Sequence, residues 1–290
     1  MLPYVDATTF IEAPTGIDTS QLVPSGTSPQ QSAELQNILE RATSWIDSYC
    51  YQRLAATTDS EIKRVRPNLQ GQLEIYPKQF PIISVISAQW IDLAAGASAV
   101  WTPITVTDIL ALERSFLVYD TDYSYWRGWG TFPLQVQYEY TNGYPHTTLT
   151  GPAGTTTIVP EGSATIQVAS TIGIGTTTGA PENWNLSSQL TILDGANREI
   201  VTVTSISGTT LTLAAPTVNT HSVGALVTAV PPIIQDACIQ LAAWRIKTRG
   251  DASFVMSGSG VSGSEKPGKA AADETIAAVM KSLQPFRRVL

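Results

Sequence analysis

Histidine and cysteine are scarce in this sequence, two of each, and that scarcity removes several kinds of chemistry. Cys50 and Cys238 belong to no CxxC pair, so neither a zinc site nor a dithiol redox motif is available. Both fall in stretches of helical periodicity, where a buried free thiol is the expectation. His146 stands beside a turn and His221 in a Thr/Ser-rich loop, and neither lies in an HExxH or other ligand-spaced cluster. A surface or hydrogen-bonding role is expected of each. Charge is sparse too. Charged residues make up 14% of the chain, against roughly a quarter in an average domain. Low charge fits a subunit whose faces are covered by neighbours, and it equally fits a β-rich protein with Ser/Thr surfaces. The 17 basic and 24 acidic residues leave a net charge of −7. With Lys and Arg dispersed, no basic footprint for gripping nucleic acid is visible; such a chain can still surround DNA. No apolar run is long enough to span a bilayer, and no basic–apolar–cleavage pattern marks a secretory signal. A soluble protein made in a reducing cytoplasm is expected.

The motifs of common enzymes are missing. Gly258-Ser259-Gly260-Val261-Ser262-Gly263 matches GxGxxG as a string. A dinucleotide site needs a strand before it and a helix opening from it, whereas here a helix precedes it and a polar Gly/Ser linker, Ser257–Ser264, surrounds it. There is no GxxxxGK[ST] loop and no GxSxG elbow. Asp120 and Asp122 invite an acid/base or cation reading, but their surroundings read as a solvated hairpin tip. The expectation is a non-enzymatic chain with no catalytic residue, no metal and no cofactor. One cluster has recognition chemistry: Tyr123, Tyr125, Trp126, Trp129 and Phe132 gather around Arg127. It suits stacking on sugars or bases, an interface rich in Trp, Tyr and Arg, or a hairpin core.

A length of 290 residues allows one large domain or two medium ones. Residues 1–28 hold several prolines and glycines without periodicity and read as an extended arm, with a short turn at Asp18–Leu22. A helix follows, capped by Ser28, with Leu35, Ile38, Leu39, Ala42, Trp45, Ile46 and Tyr49 at helical spacing and an end near Leu54, before a Thr57-Thr58-Asp59 turn. Strands are expected at Glu61–Arg66, Gln72–Tyr76, Ile82–Ile91, Ser115–Tyr119 and Leu134–Tyr140, the last ending in an Asn142-Gly143 turn. From Gly151 to Val230 the chain turns rich in Thr, Ser, Gly and Val, with five further strand patterns. Helices return at Pro231-Pro232, running to Arg249, and at Ala270–Leu283. The fold class is α+β: a small helical bundle with an antiparallel hairpin sheet, plus an inserted all-β domain of sandwich or barrel type. The division is 1–28 as arm, 29–150 with 231–290 as core, and 151–230 as insertion.

Five stretches, in order, resemble the head-to-tail connector (adaptor, or head-completion) proteins of long-tailed bacteriophages. They are the helix Glu34-Leu35-Gln36-Asn37-Ile38-Leu39-Glu40-Arg41-Ala42 running on to Cys50, Leu73-Glu74-Ile75-Tyr76-Pro77 with Phe80-Pro81-Ile82, and Leu134 to Tyr144, like the family's V-x-Y-x-x-G-Y hairpin. The last two are Pro231-Pro232-Ile233-Ile234-Gln235-Asp236-Ala237 with its helix, and Leu283-Gln284-Pro285-Phe286-Arg287-Arg288. The Thr-rich module departs from the compact family pattern. The resemblance implies a homo-oligomeric ring, typically dodecameric, under the portal of a virion neck and assembled in the host cytoplasm. Such a ring extends the channel through which genomic DNA passes and receives a stopper or tail-completion protein. The last helix and tail are then the expected portal-docking element: Ile276, Val279, Met280, Leu283, Pro285, Phe286, Arg287 and Arg288. Deletion of Ala270–Leu290 is expected to leave the core folded. Trp126, Arg127 and Trp129 are a candidate interface. The rival expectation is a virion decoration protein that binds carbohydrate or the host surface.

Overall fold

A computed structural model describes residues 1–68, 72–92, 100–118, 134–151, 158–177, 188–195, 197–249 and 267–288. Three hydrophobic cores organise it. The first is helical. Helix α2 (Ser28–Cys50) starts with Pro29 in its first turn, and Gln30 reaches back to accept from the Thr27 N–H at 2.8 Å. It ends where Tyr51 turns left-handed, four residues before the expected stop. Leu35, Ile38, Leu39, Ala42, Ile46 and Cys50 recur on one face and are buried. They pack with Ile234, Ala237, Cys238, Leu241 and Ala242 of α3 (Pro232–Arg249) and with Val279 and Leu283 of α4 (Pro267–Leu283). Both thiols are buried and free, and burial pushes each up to about 12.

The expected extended arm is corrected here. Asp6 caps a short helix, α1 (Ala7–Glu12), by accepting from the Thr9 N–H, and Tyr4, Val5 and Phe10 are fully buried in the helical core. Three apolar side chains so close together are worth burying, at about 1.5–3 kcal/mol each for residues of this size, so the segment folds onto its own chain.

The second core lies between two antiparallel sheets. One runs in the order β1-β7-β3-β4 and the other β2-β6-β5, with β1 Thr57–Val65, β2 Leu73–Ile75, β3 Ile82–Asp92, β4 Thr102–Ile104, β5 Ile109–Ala111, β6 Phe116–Val118 and β7 Leu134–Asn142. Strand β7 is central, and its alternation sends Leu134, Val136, Tyr138 and Tyr140 inward against Leu73, Ile75, Phe116 and Val118. The expected Thr57-Thr58-Asp59 turn is instead the start of β1. Asp59 accepts from Asn142 Nδ2 at 2.7 Å and Thr57 pairs with Asn142 in register, so long-range pairing overrides the local turn chemistry. Beyond β7, Gly143 has φ +87°, and a Cβ there would lie 2.8 Å from the Ala55 carbonyl oxygen. Only glycine fits.

The third core fills a closed six-stranded barrel, ordered β10-β11-β12-β9-β8-β13. Its strands are β8 His146–Thr150, β9 Thr165–Val168, β10 Gln189–Leu193, β11 Glu199–Ser207, β12 Thr210–Leu213 and β13 Leu226–Thr228. Closure removes the free edges of an open sheet. Leu149, Ile166, Val168, Leu190, Ile192, Val201, Val203, Leu211 and Val227 fill the inside. The first strand precedes the expected boundary at 151. Entry and exit sit side by side: the Ala229 N–H donates to the Pro145 carbonyl at 2.8 Å. The β10–β11 turn touches the rest of the chain, since Gly195 lies against Thr8 and Glu12 of α1.

Candidate docking surface

The sequence singles out the chain's last residues, and the structure divides them into two groups. Val279 and Leu283 are 1% and 0% exposed and belong to this chain's own helical core. They are corrected from docking residues to core residues: the apolar face of α4 is already covered by α2 and α3. Ile276 and Met280 are half-buried, Pro285 and Arg287 are exposed, and Phe286 and Arg288 are half-buried. Trp126, Arg127 and Trp129, with the Asp120–Asp122 pair and the Ser257–Ser264 string, lie outside the described residues.

Residues that sequence reasoning did not assign to the site hold the tail on the surface. A 3₁₀ turn, Gln284–Phe286, follows α4. Gln52, 5% exposed, clamps it: Gln52 Nε2 donates to the Phe286 carbonyl at 2.8 Å, and Gln52 Oε1 accepts from the Phe80 N–H at 3.1 Å. The Arg288 N–H donates to the Cys50 carbonyl at 2.9 Å, one of the carbonyls α2 leaves open at its end. Tyr49 Oη donates to the Met280 carbonyl at 3.0 Å. The Phe286 ring meets Tyr144 edge-on with centroids 6.4 Å apart. The Arg287 guanidinium stands 5.3 Å from the Tyr49 ring and 5.0 Å from Tyr51, and Trp45 stacks on Tyr49 with centroids 5.5 Å apart. On the far side, Arg114 covers Phe80 at 4.6 Å and donates to the Pro285 carbonyl at 3.2 Å. Trp45, Tyr49 and Tyr51 were legible only as members of a helix; their place beside Arg287 is set by the return of α4.

The two histidines are not surface residues. His146 is partly buried, with Nδ1 2.9 Å from Thr228 Oγ1 and Nε2 3.0 Å from the Pro3 carbonyl oxygen. A carbonyl only accepts, so Nε2 carries a proton. His221 is fully buried between Asp194, 3.8 Å from Nδ1, and Glu199, 3.3 Å from Nε2. Those carboxylates also take loop amides: Ser222 N–H on Asp194 at 2.6 Å, and Val218 and Asn219 N–H on Glu199 at 2.9 and 3.0 Å. They face different ring nitrogens, so the three groups do not converge on one ion, and neither nitrogen makes a hydrogen bond to a described residue. Among the described residues, no group of three His, Cys, Asp or Glu is placed to hold a metal, and no helix is long and apolar enough to cross a membrane. A cleft of about 500 Å³ lies between Arg53, Thr57, Thr58, Asp59, Gln79 and Ile172; it holds one cation and one carboxylate.

No protein-family model matches the sequence, and no curated protein does. Among solved structures, the chain is similar to one in the neck of an empty GTA particle computed with C6 symmetry, at 14% identity and a TM-score of 0.37, covering 100% of this chain and 96% of that one.

Proposed function

We propose that the chain is a non-catalytic structural subunit of a tailed-phage neck: a head-to-tail connector whose copies form a ring beneath the portal, extend the DNA channel and receive the tail-side protein. One observation carries the reading. The stretches that resemble the connector family are separated in sequence by the barrel, yet they close on one another as one body. Phe286 of the tail meets both Gln52, after α2, and Tyr144, after the Leu134–Asn142 strand, and Tyr144 and Phe286 pack against the helical core that α2 shares with the Pro-Pro helix. A heterologous ring contact covers two different faces of each subunit, which suits a chain of low charge. Portal docking is assigned to the tail from Pro285 to Arg288, through its exposed Pro285 and Arg287, with Tyr49 and Tyr51, and not to the buried face of α4.

Cosedimentation with portal-containing, DNA-filled, tailless capsids, followed by imaging of the bound vertex, tests it. Extra density at that single vertex is expected. No binding, or binding over the whole shell, overturns it and favours a decoration or host-surface role.

A further inference from the structure

The chain is acidic overall, yet its tail lies among cations. Lys63 and Lys78 reach this place from β1 and the loop after β2, Arg114 from the loop before β6, and Arg287 and Arg288 from the tail itself. Arg114 lies on Phe80 and donates to Pro285, Gln52 joins Phe80 to Phe286, and Arg288 donates to Cys50; Lys78 stands two residues before Phe80 and shares Glu61 with Lys63. Lys63 loses proton affinity through burial first, offset by Glu61, and then through the charges of Lys78 and Arg288 beside it. The carboxylate in the middle, Glu61, has a side chain only 9% exposed. It is turned inward, accepting from Tyr140 Oη at 2.6 Å, the Lys78 N–H at 2.8 Å and Tyr138 Oη at 3.2 Å, and it stands 3.8 Å from Lys63 Nζ. Glu113 adjoins Arg114 and Glu74 adjoins Tyr76; both are exposed and lie at the edge. Lys78, Arg114 and Arg287 present their charge to solvent.

We infer that this basic cluster is a binding surface for an acidic segment of a partner protein. The inference rests on the connector reading for the identity of the partner, and its chemistry comes from the cluster. Arg287 and Arg114 are held against Tyr49, Tyr51 and Phe80, with one guanidinium nitrogen of each already donating, to Tyr51 Oη at 3.3 Å and to the Pro285 carbonyl at 3.2 Å, and the remaining N–H groups suit a carboxylate or a phosphate alike. Composition and net charge favour a protein carboxylate over nucleic acid. The cations are also mixed with exposed apolar surface, Pro285 and the 44% exposed Tyr51. Arg with Tyr is the composition of protein interfaces, and a net charge of −7 repels a duplex beyond the patch.

The test uses the full chain and two labelled probes, a glutamate-rich peptide and a short DNA duplex, read by fluorescence anisotropy. The peptide is expected to bind at low salt and to weaken as salt rises. The double variant Lys78→Glu, Arg287→Glu is expected to bind roughly tenfold more weakly, while Arg41→Glu, an exposed cation on α2, leaves binding unchanged. Tighter binding to the duplex overturns the inference in favour of nucleic acid. Binding of neither probe, or equal binding by the double variant, overturns it outright. Capsid cosedimentation separates this from the connector reading: a chain that binds the peptide and no capsid retains the surface and loses the connector role, and the reverse result does the opposite.

Discussion

The imidazole of His146, at the start of the barrel, donates from Nε2 to the carbonyl of Pro3 at 3.0 Å and so ties the chain's first residues to a strand more than a hundred positions away. Burial pushes this histidine down to about 4, while an unfolded histidine titrates near 6.5. Between those values, as pH falls, the unfolded chain takes up a proton that the folded chain refuses. The contribution is therefore complete above about pH 6.5 and is lost progressively as pH falls towards 4. It amounts to about 2 kcal/mol once the ring's partial exposure is discounted. Asp47, raised by burial, acts with the opposite sign. The comparison that isolates the histidine is wild type against His146→Gln: urea denaturation at pH 7 and pH 4.5 is expected to show a smaller loss on acidification in the variant.

Tyr4 is buried where its hydroxyl does three things. It donates to Asp47 Oδ1 and accepts from the Leu54 and Ala55 N–H groups at 3.1 and 3.3 Å. Asp47 Oδ1 also takes the Leu54 N–H at 3.3 Å, while Asp47 Oδ2 has no hydrogen-bond partner among the described residues. Tyr4→Phe keeps the ring's packing and removes the hydroxyl's three contacts, leaving a buried carboxylate short of a donor. A loss of roughly 2 kcal/mol is expected, measured by chemical denaturation at pH 7. An unchanged midpoint would show that the network carries no stability.

Two truncations separate core from surface at the chain's end. Removing Ala270–Leu290 takes Val279 and Leu283 out of the helical core, and the expected cost is about 3–6 kcal/mol, enough to unfold a marginal domain. Ending the chain after Phe286 removes the Arg287 stack and the Arg288–Cys50 hydrogen bond but, among the described residues, no buried apolar side chain. Its midpoint is expected within about 1 kcal/mol of wild type. Thermal melts of both truncations check the ordering.

Gly143→Ala places a methyl 2.8 Å from a backbone oxygen at φ +87°. Neither atom belongs to a flexible side chain, so relief requires β7 or the Leu54–Ala55 segment to shift. A loss of about 2 kcal/mol or more is expected, seen as a lower unfolding midpoint. Gly208 also has a left-handed φ, +58°, but open space around its missing Cβ, so Gly208→Ala is expected to cost less and serves as the control.

What was legible in the sequence was what repeats. The face of α2 from Leu35 to Cys50 and the alternation from Leu134 to Tyr140 each carry a period, and each forms as read. Elements whose hydrogen bonds come from far away were misread. Thr57 to Asp59 has turn chemistry until Asn142 pairs with it. Helix α1 has six residues, too few for a period, and its only signal was Asp6 standing three residues before Thr9. A periodic face also does not say what will cover it: Val279 and Leu283 stood on the correct side of α4, but the partners proved to be α3 and α2 of the same chain. The basic cluster was hidden for a related reason. Lys63, Lys78 and Arg114 are spread across some fifty positions, and only the β-sheets and the returning tail bring them to one place.

The hydrogen bond from Ala229 to Pro145 closes a gate at which the barrel's two connections leave the body together. A module whose two covalent connections run side by side can be cut out by joining Tyr144 to Val230, at the cost of the contacts His146 and Gly195 make with the chain's first residues. A load applied to the barrel enters the body at this gate and also through Gly195 against α1 and His146 on Pro3, so the chain's first residues share it with the connections beside Tyr144.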